Sequence, residues 1–185
     1  MTVPADFAER SAHGITVKAP ADCLNPRESG LVLFKNDRLT VAVMSSEDSP
    51  QEFESPDVPF TEAEFAHFYD AVGEKIPQNT IENIVFLRDK LTAKTCLRLR
   101  GTDFSIFEFY ADSKQTVADV ETPYYYRGGN FEGLICELKG ASKRYSIRTN
   151  VLIADSAHHR TATVTIFCND RTLKEQIIAG LSVDG

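Results

Sequence analysis

The chain has 185 residues, of which 42% are hydrophobic, 10% aromatic and 25% charged. That is a globular composition, long enough to bury a core without disulfides or a structural metal, and it excludes disordered, fibrous and coiled-coil classes. Twenty Lys and Arg stand against 27 Asp and Glu, a net charge of −7. Such a balance disfavours binding to nucleic acid or to anionic membrane through a global field. Mean hydropathy is −0.24, and no apolar run reaches the ~18 residues of a membrane span.

The elements follow in chain order. Ile15–Lys18 reads as a strand. Gly30–Lys35 (GLVLFK) and Arg38–Met44 (RLTVAVM) read as a hairpin, joined by Asn36-Asp37, a pair suited to positive φ. Ser45–Pro59, with its Ser, Pro and acidic residues, reads as an exposed loop. Thr61 and Glu64 then have capping-box spacing, with Phe60 and Phe65 placed as a hydrophobic staple. Phe65, Phe68, Tyr69, Val72 and Ile76 recur at helical spacing, and Pro77 is the expected stop.

Asn83–Leu87 (NIVFL), the alternating Lys94–Arg100 (KTCLRLR) and the doubly apolar Asp103–Tyr110 (DFSIFEFY) all read as strands, the last one central. Asp112–Asn130 is less regular, with a turn of helix at Gln115–Val120. Glu132–Lys139, Tyr145–Ala154 and Thr161–Cys168 complete a meander with short connectors. A final helix carries Leu173, Ile177, Ile178 and Leu181 on one stripe, with Thr172 and Glu175 at capping-box spacing. The expected architecture is one α+β domain over 1–185, an antiparallel sheet of about seven to nine strands flanked by two main helices.

The elements GLVLFKNDRLTVAVM, FTEAEFAHFYDAVGEKI, the antiparallel meander and VTIFCNDRTLKEQIIAGLSV resemble, in their order, the Mog1/PsbP-like group. That group includes the Ran-binding protein Mog1, the photosystem protein PsbP, and bacterial chaperones of type VI secretion effectors or lipoproteins. The resemblance implies a layered sandwich and a binding module with no catalytic residues to carry over.

Charge is laid out unevenly. Leu39–Glu74 contains nine carboxylates and no Lys or Arg, which leaves the rest of the chain at a net of +2. Within that sector Glu47, Asp48, Glu52, Glu54 and Asp57 are candidate partner-binding residues, because a one-signed surface steers an oppositely charged partner. Tyr124, Tyr125, Tyr126 and Arg127 are the second candidate group, since Tyr and Arg dominate protein interfaces. Alternation on a strand would send Tyr125 to one face and Tyr124 and Tyr126 to the other, so at least one ring belongs to a core.

No catalytic residues, metal ligands or cofactor are assigned. Cys23, Cys96, Cys136 and Cys168 form no C-x-x-C pair, and the last three fall in strand-like runs as small buried hydrophobes. His158 and His159 sit in a turn, and His67 lies off the helix stripe as a solvated residue. No zincin, nucleophile-elbow, phosphate-loop or dinucleotide motif occurs.

The leading expectation is a non-enzymatic protein-binding module, a bacterial immunity protein or secretion-effector chaperone whose partner presents a basic surface. An alternative is a periplasmic or lipid-anchored module that holds a small ligand or metal in a cavity lined by Phe65, Phe68 and Tyr69. A Cys/His hydrolase is third. Met1–Arg10 contains no apolar leader core, which points to the cytoplasm, with the periplasm as the expectation for a chain that has lost a leader.

Overall fold

The computed structural model describes residues 2–23, 32–47, 58–118, 120–128, 131–138, 143–155 and 160–184. In chain order they form β1 (Phe7–Ala12), β2 (Ile15–Pro20), β3 (Val32–Lys35), β4 (Leu39–Glu47), α1 (Glu62–Val72), α2 (Thr80–Val85), a π-helical turn (Phe86–Lys90), α3 (Ala93–Cys96), α4 (Thr102–Ala118), β5 (Val120–Gly128), β6 (Phe131–Leu138), β7 (Ile147–Asp155), β8 (Arg160–Cys168), α5 (Arg171–Ala179) and β9 (Ser182–Val183). The residues group into two compact units, Met1–Glu47 with Val120–Gly185, and Asp48–Asp119.

Among the described residues, the first unit holds all the strands. Six pair antiparallel in the order β3-β4-β8-β7-β6-β5, and β1-β2-β9 form a second antiparallel sheet. Alternation along β4, β7 and β8 sends Leu39, Val41, Val43, Val151, Ile153, Ala162, Val164, Ile166 and Cys168 to one face, all fully buried. They share a core with Ile15 and Val17 of β2 and with Ile177 and Ile178 of α5. Each of the Val, Leu and Ile side chains among them contributes roughly 1.5–3 kcal/mol by leaving water.

The turns are set locally. β1 and β2 are joined by His13 (φ 54°) and Gly14 (φ 72°), two left-handed residues in succession, which is the twist-matched hairpin turn. The β3–β4 turn departs from the positive-φ expectation for Asn36-Asp37. The Asn36 carboxamide oxygen instead accepts from the Arg38 and Leu39 N–H groups, each at 2.8 Å. At the far end Asp170, rather than Thr172, caps α5, accepting from Thr172 N–H at 2.8 Å and Leu173 N–H at 3.3 Å. Glu175 turns to Lys174 instead of back to the cap.

The second unit is helical, and three strand expectations are corrected here. Asn83–Leu87 lies in α2 and the π turn, Lys94–Arg100 in α3 and its exit, and Asp103–Tyr110 in α4. Helix starts decide the first two: the Asn79 side chain accepts from Glu82 N–H at 2.9 Å, and Thr92 with Thr95 forms a capping box. In α4 the doubly apolar run fits either period. Wound as a helix it sets Ile106 and Tyr110 four apart on the buried face, with Phe109 beside them.

Helix α1 keeps its expected box, with Glu64 N–H donating to Thr61 Oγ1 and Thr61 N–H donating to Glu64. The staple also forms: the Phe60 and Phe65 rings meet edge to face at 5.9 Å. The helix stops at Gly73 (φ 77°), short of Pro77, because Gly73 and Glu74 N–H groups close back onto Asp70 and Tyr69 carbonyls.

The whole is an α+β fold with antiparallel sheets. Among the described residues nine strands divide into sheets of six and three, and five α-helices replace the two expected to flank one sheet.

Candidate binding surface

The tyrosine tract, expected to be irregular, is strand β5, the terminal strand of the six-stranded sheet. Its register with β6 slips between Glu121 and Tyr124. Pro123 sits in that bulge, where a missing N–H costs no ladder bond. Beyond the bulge, Tyr124, Tyr125 and Tyr126 pair with Ile135, Leu134 and Gly133.

Alternation separates the three rings. Tyr126 turns to the core, its ring 5.6 Å from Phe131 and its hydroxyl donating to the Ile178 carbonyl at 3.4 Å. Tyr125 points to the opposite face and is 62% exposed, and Tyr124 is 42% exposed. Burial, then the nearby Glu175 carboxylate, pushes the Tyr124 and Tyr126 phenols up from their ordinary value. Arg127 is the register partner of Glu132, and its side chain lies outside the described residues.

Under the core-facing side of this strand is a charged cluster. The Lys174 ammonium donates to Glu137 at 2.5 Å and to Glu175 at 3.0 Å, and Thr149 Oγ1 donates to the second Glu137 oxygen at 2.8 Å. Lys174 lies one helical turn before Ile177 and Ile178 on the buried stripe of α5. An ammonium at that position is the one sequence sign that a carboxylate would be met there.

The acidic candidates are placed less completely. Glu47 ends β4 opposite Arg160, while Asp48, Glu52, Glu54 and Asp57 lie outside the described residues. Further along the sector, Glu62 and Asp70 are exposed on α1.

Phe65, Phe68 and Tyr69, expected to line a ligand cavity against a sheet, are instead packed among helices. They are 0%, 0% and 3% exposed, with Phe68 edge to face on Phe86 at 6.2 Å and Tyr69 hydrogen-bonded to Tyr110 at 3.0 Å.

The helical unit does carry an open cleft of about 330 Å³, lined by Ala63, Glu64, His67, Arg100, Thr102 and Asp103. In it His67 Nδ1 lies 2.9 Å from Asp103 Oδ1, and that hydrogen bond raises the imidazole above its ordinary pKa. Pairing of residues 36 apart, on α1 and α4, leaves no sequence signal.

None of the four cysteines is in a disulfide. Cys23, Cys136 and Cys168 are buried, and burial pushes the Cys23 and Cys168 thiols up, away from thiolate reactivity. Cys96 is the exception to the strand expectation: it ends α3 and is half-buried. His158 and His159 lie outside the described residues. Among the described residues no group of three or more His, Cys, Asp and Glu could hold a metal, and no helix is long and apolar enough to cross a membrane.

No family model and no curated protein matches the chain. A solved structure from Bacteroides thetaiotaomicron aligns over 99% of the chain at 8% identity with a TM-score of 0.32, a likeness too low to assign a fold. This chain spans 44% of that protein's length.

Proposed function

We propose that the chain is a non-enzymatic protein-binding module, a bacterial immunity protein or secretion-effector chaperone. Its contact surface is built on Tyr124 and Tyr125 of β5. The observation that carries this reading is the exposure of two adjacent tyrosines, 42% and 62%, on a terminal strand whose neighbours are core. Tyrosine supplies large contact area at low entropic cost, and such residues concentrate binding energy. The acid-only sector adds a steering field for a basic partner. The likeness to the Mog1/PsbP-like group supports the same reading through the order hairpin, α1, meander and α5. The helices α2–α4 are an addition to that pattern.

The test is to mix the purified chain with the product of the adjacent gene and follow complex formation by gel filtration at low and high salt. A complex that is lost in the Tyr124→Ala/Tyr125→Ala double variant, while the fold persists by circular dichroism, is the expected outcome. No complex at any salt removes the proposal.

A further inference from the structure

Two strands end the six-stranded sheet, and they differ. β3 is four residues long, with a register slip between Val32 and Phe34, and its Leu33 carbonyl accepts from the Arg10 guanidinium at 2.7 Å. β5 is nine residues long, and its bulge and proline protect its first half alone. Among the described residues, no strand other than β6 pairs with β5.

The register shows which backbone groups point outward. Gly128 and Phe131 are partners only three apart in the chain, too close to be paired through bonds on flanking residues. The Gly128/Phe131 pair must itself exchange both backbone bonds. Alternation makes Tyr126/Gly133 and Tyr124/Ile135 bonded pairs as well. The N–H and C=O of Tyr125 and Arg127 therefore face away from β6.

We propose that this half-edge, Tyr124–Gly128, binds an extended segment of the partner protein by strand addition, resting on the protein-binding reading above. Four backbone groups on Tyr125 and Arg127 supply the hydrogen bonds. Tyr124 stands on one face of the sheet and Tyr125 on the other, so an added strand meets one exposed ring on each side. It packs alternate side chains against both. The occupant is thus a segment of alternating β-branched or aromatic residues without proline.

Proline at position 127 tests this directly, because it removes an outward donor while leaving the bonds to β6 intact. The probe is a linear 12-residue peptide selected from a random phage-displayed library against the full chain. The expected result is that amide exchange at Tyr125 and Arg127 slows at least tenfold with peptide. Arg127→Pro then weakens binding more than tenfold at unchanged thermal midpoint, and Arg127→Ala by less than threefold. If Arg127→Pro lowers the midpoint, the wild-type amide exchange decides. Selected peptides that depend on the tyrosines yet leave those amides unprotected overturn strand addition and keep the binding module. Protection that appears in the chain alone, rising with concentration and with dimer in sedimentation, assigns the edge to a second copy and also overturns it. Failure to select any peptide, with no complex formed by the neighbouring gene product, removes both readings.

Discussion

The Lys174 ammonium lies 2.5 Å from Glu137 Oε1 and so ties α5 to β6 through a charge pair at the margin of the apolar core. Burial works to discharge Lys174, but its hydrogen bonds to Glu137 and Glu175 outweigh that and hold it above the ordinary lysine value. A folded pKa above the unfolded one stabilises at every pH below the unfolded value, and the contribution disappears as pH rises through the folded value. Lys174→Met is therefore expected to cost about 3 kcal/mol near neutrality, since it leaves Glu137 without its cation. A Lys174→Met/Glu137→Leu double variant should recover most of that loss. Urea titration of the three proteins measures both, and a double variant as weak as the single one would refute the pairing.

His67 offers a titration in the same direction at lower pH. Its hydrogen bond to Asp103 raises the imidazole above about 6.5, so the protonated pair favours the fold below that pH and is lost as pH rises through the folded value. In two-dimensional NMR the His67 midpoint should stand above the ordinary histidine value. Asp103→Asn should bring it down towards the free value. An unchanged midpoint in that variant would break the assignment.

Gly14 is needed twice over. Its φ of 72° is one L residues rarely adopt, and a Cβ there would run into the Arg160 guanidinium. Arg160 is held in place by Asp155, at 2.6 Å from its Nε. Gly14→Ala is expected to destabilise by more than ~1 kcal/mol. Adding Arg160→Ala should relieve the collision part and leave the backbone part, which thermal melts of the single and double variants will separate.

The thiols should react in a set order. Cys96 is half-buried on α3, whereas Cys23, Cys136 and Cys168 are 2%, 4% and 0% exposed. With an aromatic disulfide reagent, one thiol per native chain should titrate quickly and four after unfolding. Cys96→Ser should abolish the fast phase. A fast phase that survives would mean that one of the buried sites opens.

Local rules in the sequence settled the elements whose signals are local. The Thr61/Glu64 box with its Phe60 staple, the β3–β4 hairpin and the strands β6, β7 and β8 follow from capping chemistry, β-branched runs and period-two alternation. That at least one ring of the tyrosine tract belongs to a core followed from alternation too, and the fold makes it Tyr126. The uneven charge, with nine acids in Leu39–Glu74, is a property of the sequence alone.

Tertiary structure decided the rest. NIVFL and DFSIFEFY suit a buried strand or a buried helix face equally, because a short run that is apolar on all sides has no period to choose between them. Packing resolved them as helices around Phe65, Phe68 and Tyr110, and this made a separate helical unit where one sheet was expected. Position in the sheet was equally hidden. Nothing in PYYYRGG says that β5 ends the sheet, yet that placement exposes Tyr125 and turns its backbone outward. The pairs Lys174–Glu137 and His67–Asp103 join residues 37 and 36 apart, and only the fold brings them within hydrogen-bonding distance.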